Sequence, residues 1–337
     1  MNNSIKVSIP GKIVISGEYA VLYGASAIVS SLNQRAAITI KNSNKQHNIF
    51  VTSGLESNFP FIIDDDANII WLDLDPGAYG LLLKHAFNIL KPKLKEKLSI
   101  TVDSSEFFQT TRDGVIHKLG IGSSAAVSVG ITEALSHYQA VSTSPKKLLN
   151  QANSIHQAME GKQGSGIDIT CSFADQGVIE CNKNSVKNHT WSILNWPKDL
   201  YLKVLITRHG ASTKQQIINY KKARNLYPKE FKIALDQFLE ITESISIAWK
   251  SEDVNLIIDL LTNYYANIKR LDKIGDIGIY TPMHTEIQNI ASRHNVFYKP
   301  SGAGGGDIGL ALSSSLDALN KFVDESIKVA SYIGYLD

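Results

Sequence analysis

Leu98, Ile100 and Val102 alternate with polar residues, which predicts a strand over Leu98–Val102, and the runs Ile5–Ile9 and Ala37–Ile40 read as strands too. Between them, Tyr79–Leu90 has apolar residues at helical spacing. After Ser123 the apolar positions Val127, Ile131, Ala134 and Leu135 recur at that same spacing, so a loop feeds straight into a helix. The texture changes near residue 190. Tyr201–Thr207 is a strand candidate, followed by long helical patterns over Ile233–Trp249 and Val254–Leu271. Val296–Tyr298 and Ile308–Leu312 then read as strands flanking a glycine cluster. A last helix spans Leu316–Val329, with Ser314 and Asp317 in capping-box spacing at its start. Strands and helices without regular βαβ alternation predict an α+β fold, here in two domains, 1–190 and 191–337.

Composition narrows the class. Of 337 residues 43% are hydrophobic and 20% charged, which does not indicate disorder. The formal net charge of +2 is far from the basic excess of a nucleic-acid binder. The two cysteines, Cys171 and Cys181, match no zinc spacing and make no disulfide framework, which points to a reduced, cytoplasmic setting. Lys6, Lys12 and Glu18 interrupt any early signal-like apolar run. No stretch approaches the roughly 18 uninterrupted apolar residues of a membrane span, so a soluble protein with no membrane partner is expected.

Candidate chemistry begins at Leu119-Gly120-Ile121-Gly122-Ser123-Ser124-Ala125-Ala126. Two glycines allow a tight turn and close ligand approach, and the helix behind them offers unpaired N–H groups and a positive dipole end that suit a phosphate. A Walker loop is excluded, because no Gly-Lys-Ser/Thr ending exists. Gly120, Gly122 and Ala125 formally match a dinucleotide fingerprint. That motif needs a preceding strand and a later acid; Arg112-Asp113-Gly114 interrupts the approach, and no Asp or Glu lies between Glu133 and Glu160. A plain serine-capped turn remains the bland alternative.

Two further segments stand out. In Pro10-Gly11-Lys12 through Gly17-Glu18-Tyr19, Lys12 and Glu18 are charges among apolar residues, costly unless paired or in contact with a ligand. In Lys299-Pro300-Ser301-Gly302-Ala303-Gly304-Gly305-Gly306-Asp307, the glycine density implies required positive φ or close ligand approach, with a flexible hairpin as the alternative.

These three segments, in this order, resemble the three signature motifs of the GHMP kinases: PGK…GEY/GEH, GLGSSAA and TGAGGGG. A fourth, His156 to Asp168, is similar to the H…QGKxGSGFD segment of the phosphomevalonate kinases. Mevalonate kinases share only its end, and carry a metal-ligating Glu where this chain has Gln157. Gly210-Ala211-Ser212-Thr213-Lys214, the SGAGGGD form of the late loop and Gly278-Ile279-Tyr280-Thr281-Pro282 lean the same way, whereas Val21-Leu22-Tyr23-Gly24 with Ala27 is similar to mevalonate kinases.

The resemblance implies a two-domain GHMP kinase fold, an S5-like α/β nucleotide-binding domain followed by a ferredoxin-like α+β domain. It implies ATP and Mg²⁺ as cofactors and mevalonate 5-phosphate as the small anionic substrate, in a monomer or homodimer. Leu119, Gly120, Ile121, Gly122, Ser123, Ser124 and Ala125 would bind ATP, with Ser124 also on the metal. Asp168 would orient or deprotonate the attacking oxygen, and Lys12 would stabilise the transferring phosphoryl group. Glu18, Tyr19, His156, Ser165, Gly166, Ser212, Ser301, Gly302 and Ala303 would hold the substrate. Glu18 and Glu160 are the candidates for a second metal ligand. Lys214, Lys221, Lys222 and Arg224 form a basic run that would attract the substrate or, equally, coat a solvated helix face. The competing readings are mevalonate kinase, a non-catalytic metabolite-binding regulator and a nicotinamide oxidoreductase.

Overall fold

The computed structural model describes residues 4–53, 58–110, 114, 116–160, 164–182, 190–207, 213–306, 308–329 and 334–336. Two compact units form, each assembled from separated stretches: 1–12, 31–108 and 122–175 in the first, 13–30, 109–121 and 176–337 in the second. The chain therefore does not divide at a single point near residue 190. The reason is that two long strands, β1 (Ser4–Ser16) and β2 (Ala27–Asn42), each contribute residues to both units.

In the first unit, residues 37–42 of β2 pair antiparallel with β6 (Leu98–Asp103). β6 pairs parallel with β3 (Asn48–Thr52), which continues antiparallel into β4 (Phe59–Ile63) and β5 (Ile69–Trp71). Alternate positions of these strands are buried, as the sequence pattern requires: Leu98, Ile100 and Val102 on β6, Ile38 and Ile40 on β2. Helices α1 (Ala78–Leu90), α2 (Ser123–Tyr138), α3 (Pro145–Glu160) and α4 (Ile167–Ala174) pack on one another. Gly130 lets α2 settle on the sheet, because a Cβ there would lie 2.2 Å from Ile38 Cδ1.

In the second unit residues 27–30 of β2 pair antiparallel with β9 (Val178–Cys181), which pairs antiparallel with β10 (Trp191–Ile193). In the same unit β11 (Tyr201–Ile206) sits between β13 (Ile308–Ser313) and β14 (Gly334–Leu336), and β13 also pairs with β12 (Phe297–Pro300), all antiparallel. The long helices α5 (Thr213–Leu226), α6 (Pro228–Lys250) and α7 (Val254–Gly275) are followed by α8 (Pro282–Arg293) and, after the β12–β13 pair, by α9 (Leu316–Val329). The order β12-β13-β11-β14, with helices in both crossovers, is the split βαβ arrangement of a ferredoxin-like domain. Its core packs Ile287 and Ile290 of α8 and Leu319 and Phe322 of α9 with Leu205 and Ala311 of the sheet.

The α9 start differs by one residue from the capping pattern: Ser315, not Ser314, accepts a bond from the Ala318 amide at 3.2 Å. Directly before the first glycine loop the chain forms a short strand, β8 (Ile116–Lys118), which among the described residues pairs with β7 (Phe108–Thr110) alone, in a separate two-stranded sheet. Such a hairpin is not the sheet strand that a dinucleotide fold requires. Among the described residues, no helix is long and apolar enough to cross a membrane.

Candidate active site

In the first unit a small cluster forms where α2 begins. Gly122 stands at the helix N-cap with φ 86°, a left-handed conformation that glycine adopts without strain. A Cβ on Gly122 would lie 3.1 Å from Lys12 Cε and 3.2 Å from Lys12 Cγ, so the Lys12 stem runs across the bare glycine. With glycine as the cap, no capping side chain bonds the first amides of α2 among the described residues, which leaves them available to an anion. Ser123 is buried and its hydroxyl has no hydrogen-bond partner among the described residues. Half-buried Ser124 sets its hydroxyl 3.1 Å from His156 Nε2 and 3.4 Å from Glu160 Oε1.

Helix α3 supplies the opposite wall. His156 and Glu160 lie one turn apart on it, with Nε2 and Oε1 separated by 3.8 Å. His156 Nε2 is also 3.8 Å from Asp168 Oδ2, so one buried ring lies between the serine and the aspartate. Asp168 occupies the first turn of α4, where Oδ1 accepts the Ile169 amide at 2.9 Å. Burial alone would raise the Asp168 carboxyl, but the His156 ring, the Lys12 ammonium and the backbone amides outweigh it and hold it below the usual range. The carboxylate is therefore ionised at neutral pH. Burial pushes the neighbouring Cys171 thiol up to about 12, which keeps it out of nucleophilic chemistry.

Residues 81–176, which carry α2, α3 and α4, match the sequence family described as GHMP kinases N terminal domain. This segment is a GHMP kinase N-terminal domain. The phosphomevalonate kinase of Streptomyces sp. (strain CL190) is 25% identical over 334 residues, covering 90% of this chain and 88% of that protein. The mevalonate kinase of Methanocaldococcus jannaschii is 22% identical over 302 residues, with 89% of each covered. Streptococcus pneumoniae phosphomevalonate kinase, solved in complex with phosphomevalonate and AMPPNP, superposes with a TM-score of 0.73 at 19% identity, covering 98% of this chain and all of that one. The likeness spans both units, and the two-domain α+β GHMP kinase fold is the fold of this chain.

Of the expected site residues, the first unit brings together Lys12, Gly122, Ser123, Ser124, Ala125, His156 and Asp168, with Ser165 and Gly166 leading into α4. His156 has its ring on Ser124 and beside Asp168, so its observed partners are protein groups. Leu119, Gly120 and Ile121 belong to the second unit, and the chain enters the first at Gly122. Ser212 and Asp307 lie outside the described residues.

The second unit gathers Glu18, Tyr19, Ser301, Gly302 and Ala303. Glu18 is buried, with Lys299 Nζ on one carboxylate oxygen and the Tyr265 hydroxyl on the other, so this carboxylate is held inside the protein. Its observed partners are therefore protein groups, an internal ion pair and a tyrosine hydroxyl. Tyr19 holds a positive φ of 63°, supported by its hydroxyl donating to the Ala303 carbonyl at 2.6 Å and by stacking on Tyr220 at 4.6 Å. Over its described residues 301–306 the late glycine loop is tied to the neighbouring segment. Gly305 N–H donates to the Ile279 carbonyl at 2.9 Å, and a Cβ on Gly304 would lie 2.5 Å from Ile279 Cγ2.

Sequence reasoning missed Lys299, Tyr265 and Asp272. Asp272 accepts the amides of Gly278, Ile279 and Tyr280 and so fixes the segment on which Gly304 and Gly305 lean. A lysine directly before a glycine-rich loop was the one available signal; nothing in spacing marked Asp272. Lys214, Lys221 and Lys222 are exposed on α5, and Arg224 turns onto Tyr23.

Proposed function

We propose that this chain is an ATP-dependent kinase that converts mevalonate 5-phosphate to mevalonate 5-diphosphate. The carrying observation is the contact of His156 with Ser124. It brings the segment that resembles the phosphomevalonate kinases, His156 to Asp168, onto the bare helix start where a nucleotide phosphate would lie. The Streptomyces relative and the phosphomevalonate-bound neighbour support the substrate, and AMPPNP in that neighbour supports ATP.

In this reading the amides of Ser123, Ser124 and Ala125 and the unpartnered Ser123 hydroxyl take ATP phosphates. An oxygen of the substrate phosphate bonds to the γ-phosphorus as the bond from that phosphorus to the ADP oxygen breaks. The second proton of a phosphate monoester leaves near pH 6, so the attacking group is mostly ionised already and needs no strong base. Asp168, held as a carboxylate, keeps Lys12 and His156 in place; Lys12 stabilises charge on the transferring group. Mg²⁺ fits in part. Ser124 and Glu160 offer a hydroxyl and a carboxylate, hard oxygen donors, and no group of three or more His, Cys, Asp or Glu among the described residues is set to hold a metal. When bound with ATP, Mg²⁺ would neutralise phosphate charge.

The Methanocaldococcus relative, at similar identity and coverage, and Val21 to Gly24 favour mevalonate kinase as the second reading. ADP release from purified protein with Mg-ATP, offered mevalonate 5-phosphate, mevalonate, homoserine and galactose in parallel, separates the two. Turnover on mevalonate 5-phosphate alone is expected. Turnover on mevalonate alone overturns the substrate and leaves a kinase standing; ATP binding without turnover on any overturns the kinase reading.

A further inference from the structure

The second unit contains a cavity of about 540 Å³ where α5 turns into α6; none of its lining residues is an expected catalytic or nucleotide group, and Arg224 alone among them comes from the basic run weighed for attracting substrate. Its volume falls in the range of small-molecule sites, roughly 300–1,000 Å³. The apolar part is aromatic. Buried Tyr220 and Phe231 meet edge-on with centroids 5.2 Å apart, Tyr23 lies tilted 6.4 Å from Tyr220, and Leu235 completes the wall.

The polar part is cationic. Arg224 Nη1 donates to the Tyr23 hydroxyl at 2.9 Å, with the guanidinium 5.8 Å from the Tyr23 ring centroid. That hydroxyl is a neutral acceptor and engages only one of the guanidinium donors. Neither Arg224 nor Lys232 pairs with a carboxylate among the described residues, and no Asp or Glu lines the cavity. A wall of rings carrying two uncompensated cations matches neither a cation nor a neutral hydrocarbon.

We propose that this cavity binds an organic anion with a flat aromatic body, the rings and Leu235 taking the body and Arg224 and Lys232 the charged head. Tyr220, which forms the floor, also stacks on Tyr19, so the body rests on an aromatic group that the fold already holds in place.

The test is titration of the full chain with 1-anilinonaphthalene-8-sulfonate, read by fluorescence and calorimetry. One site is expected. Arg224→Gln should weaken it about tenfold and Lys232→Gln by a similar factor, the usual scale of one charge-assisted contact. Arg224→Lys should keep most of the affinity, and Lys222→Gln, an exposed neighbour on α5, should change nothing. The neutral analogue N-phenyl-1-naphthylamine should bind at least about tenfold more weakly, as expected when the charged contact is absent. Both pocket cations are exposed, so the variants should unfold like the parent chain. Unchanged affinity in Arg224→Gln or equal binding of the neutral amine would overturn the proposal. It does not depend on the kinase reading: a chain with no turnover on any substrate can still pass every arm.

Discussion

Lys12 and Glu18 come from one N-terminal motif, yet the fold treats them in opposite ways. Glu18 is buried, both carboxylate oxygens are engaged, and its partner Lys299 also donates to the Val14 carbonyl at 2.8 Å and lies 4.7 Å from the Tyr265 ring centroid. Lys12 is only half-buried, its stem lies on Gly122 and its charge acts on Asp168. A charge whose partners are saturated by the protein holds a fold together. A charge left within reach of a half-open carboxylate and bare helix amides is available for a ligand.

The largest expected effect breaks the structural member. Lys299→Ala leaves the Glu18 carboxylate buried without its cation and should remove about 3–5 kcal/mol of stability in denaturant unfolding, as for other broken buried pairs. The exposed control Lys222→Ala should stay within about 0.5 kcal/mol. A loss no greater than the control would mean that Glu18 and Lys299 are as dispensable as surface charges. Next comes the functional member. Lys12→Met should lower kcat about 10²–10³-fold with an unchanged unfolding midpoint, the scale of losing one stabilising donor to a transition state. Near-normal turnover would remove Lys12 from the chemistry.

The smallest effect sharpens the site itself. Asp168→Asn should lower kcat by less than about tenfold, below the 10²–10⁴ typical of a true general base, and the parent chain's pH–rate profile should carry no acidic limb that the substitution removes. Stability follows the same carboxyl. Its folded-state value is depressed, so it stabilises the protein above the unfolded value near 3.9 and loses that contribution as pH falls through the lower folded value. The stability difference between the parent and Asp168→Asn should therefore narrow on acidification in that range, as measured by denaturant titrations at successive pH values.

Much of this was legible along the chain. Alternation marked β6, and helical spacing marked α1, α2, α6, α7 and α9, because burial of one face imposes a period that a local reading detects. Helix α3 escaped despite carrying His156 and Glu160, since its buried face (Leu149, Ala152, Asn153, Ile155 and His156) includes two polar side chains that a reading by apolar spacing passes over. The division into units escaped for another reason. A long strand that serves two cores has no break in its hydrophobic pattern.

By itself the sequence determined the α+β class, the glycine loops, the resemblance to GHMP kinases and the set of charges that needed an explanation. Only the tertiary structure decided which charge met which partner: Glu18 with Lys299 across 281 positions of chain, His156 with Ser124 across 32, Lys12 against Gly122. Local propensity and burial period are written in neighbouring residues. The pairing of a buried charge is set by where distant segments are brought together, and no local pattern encodes that distance.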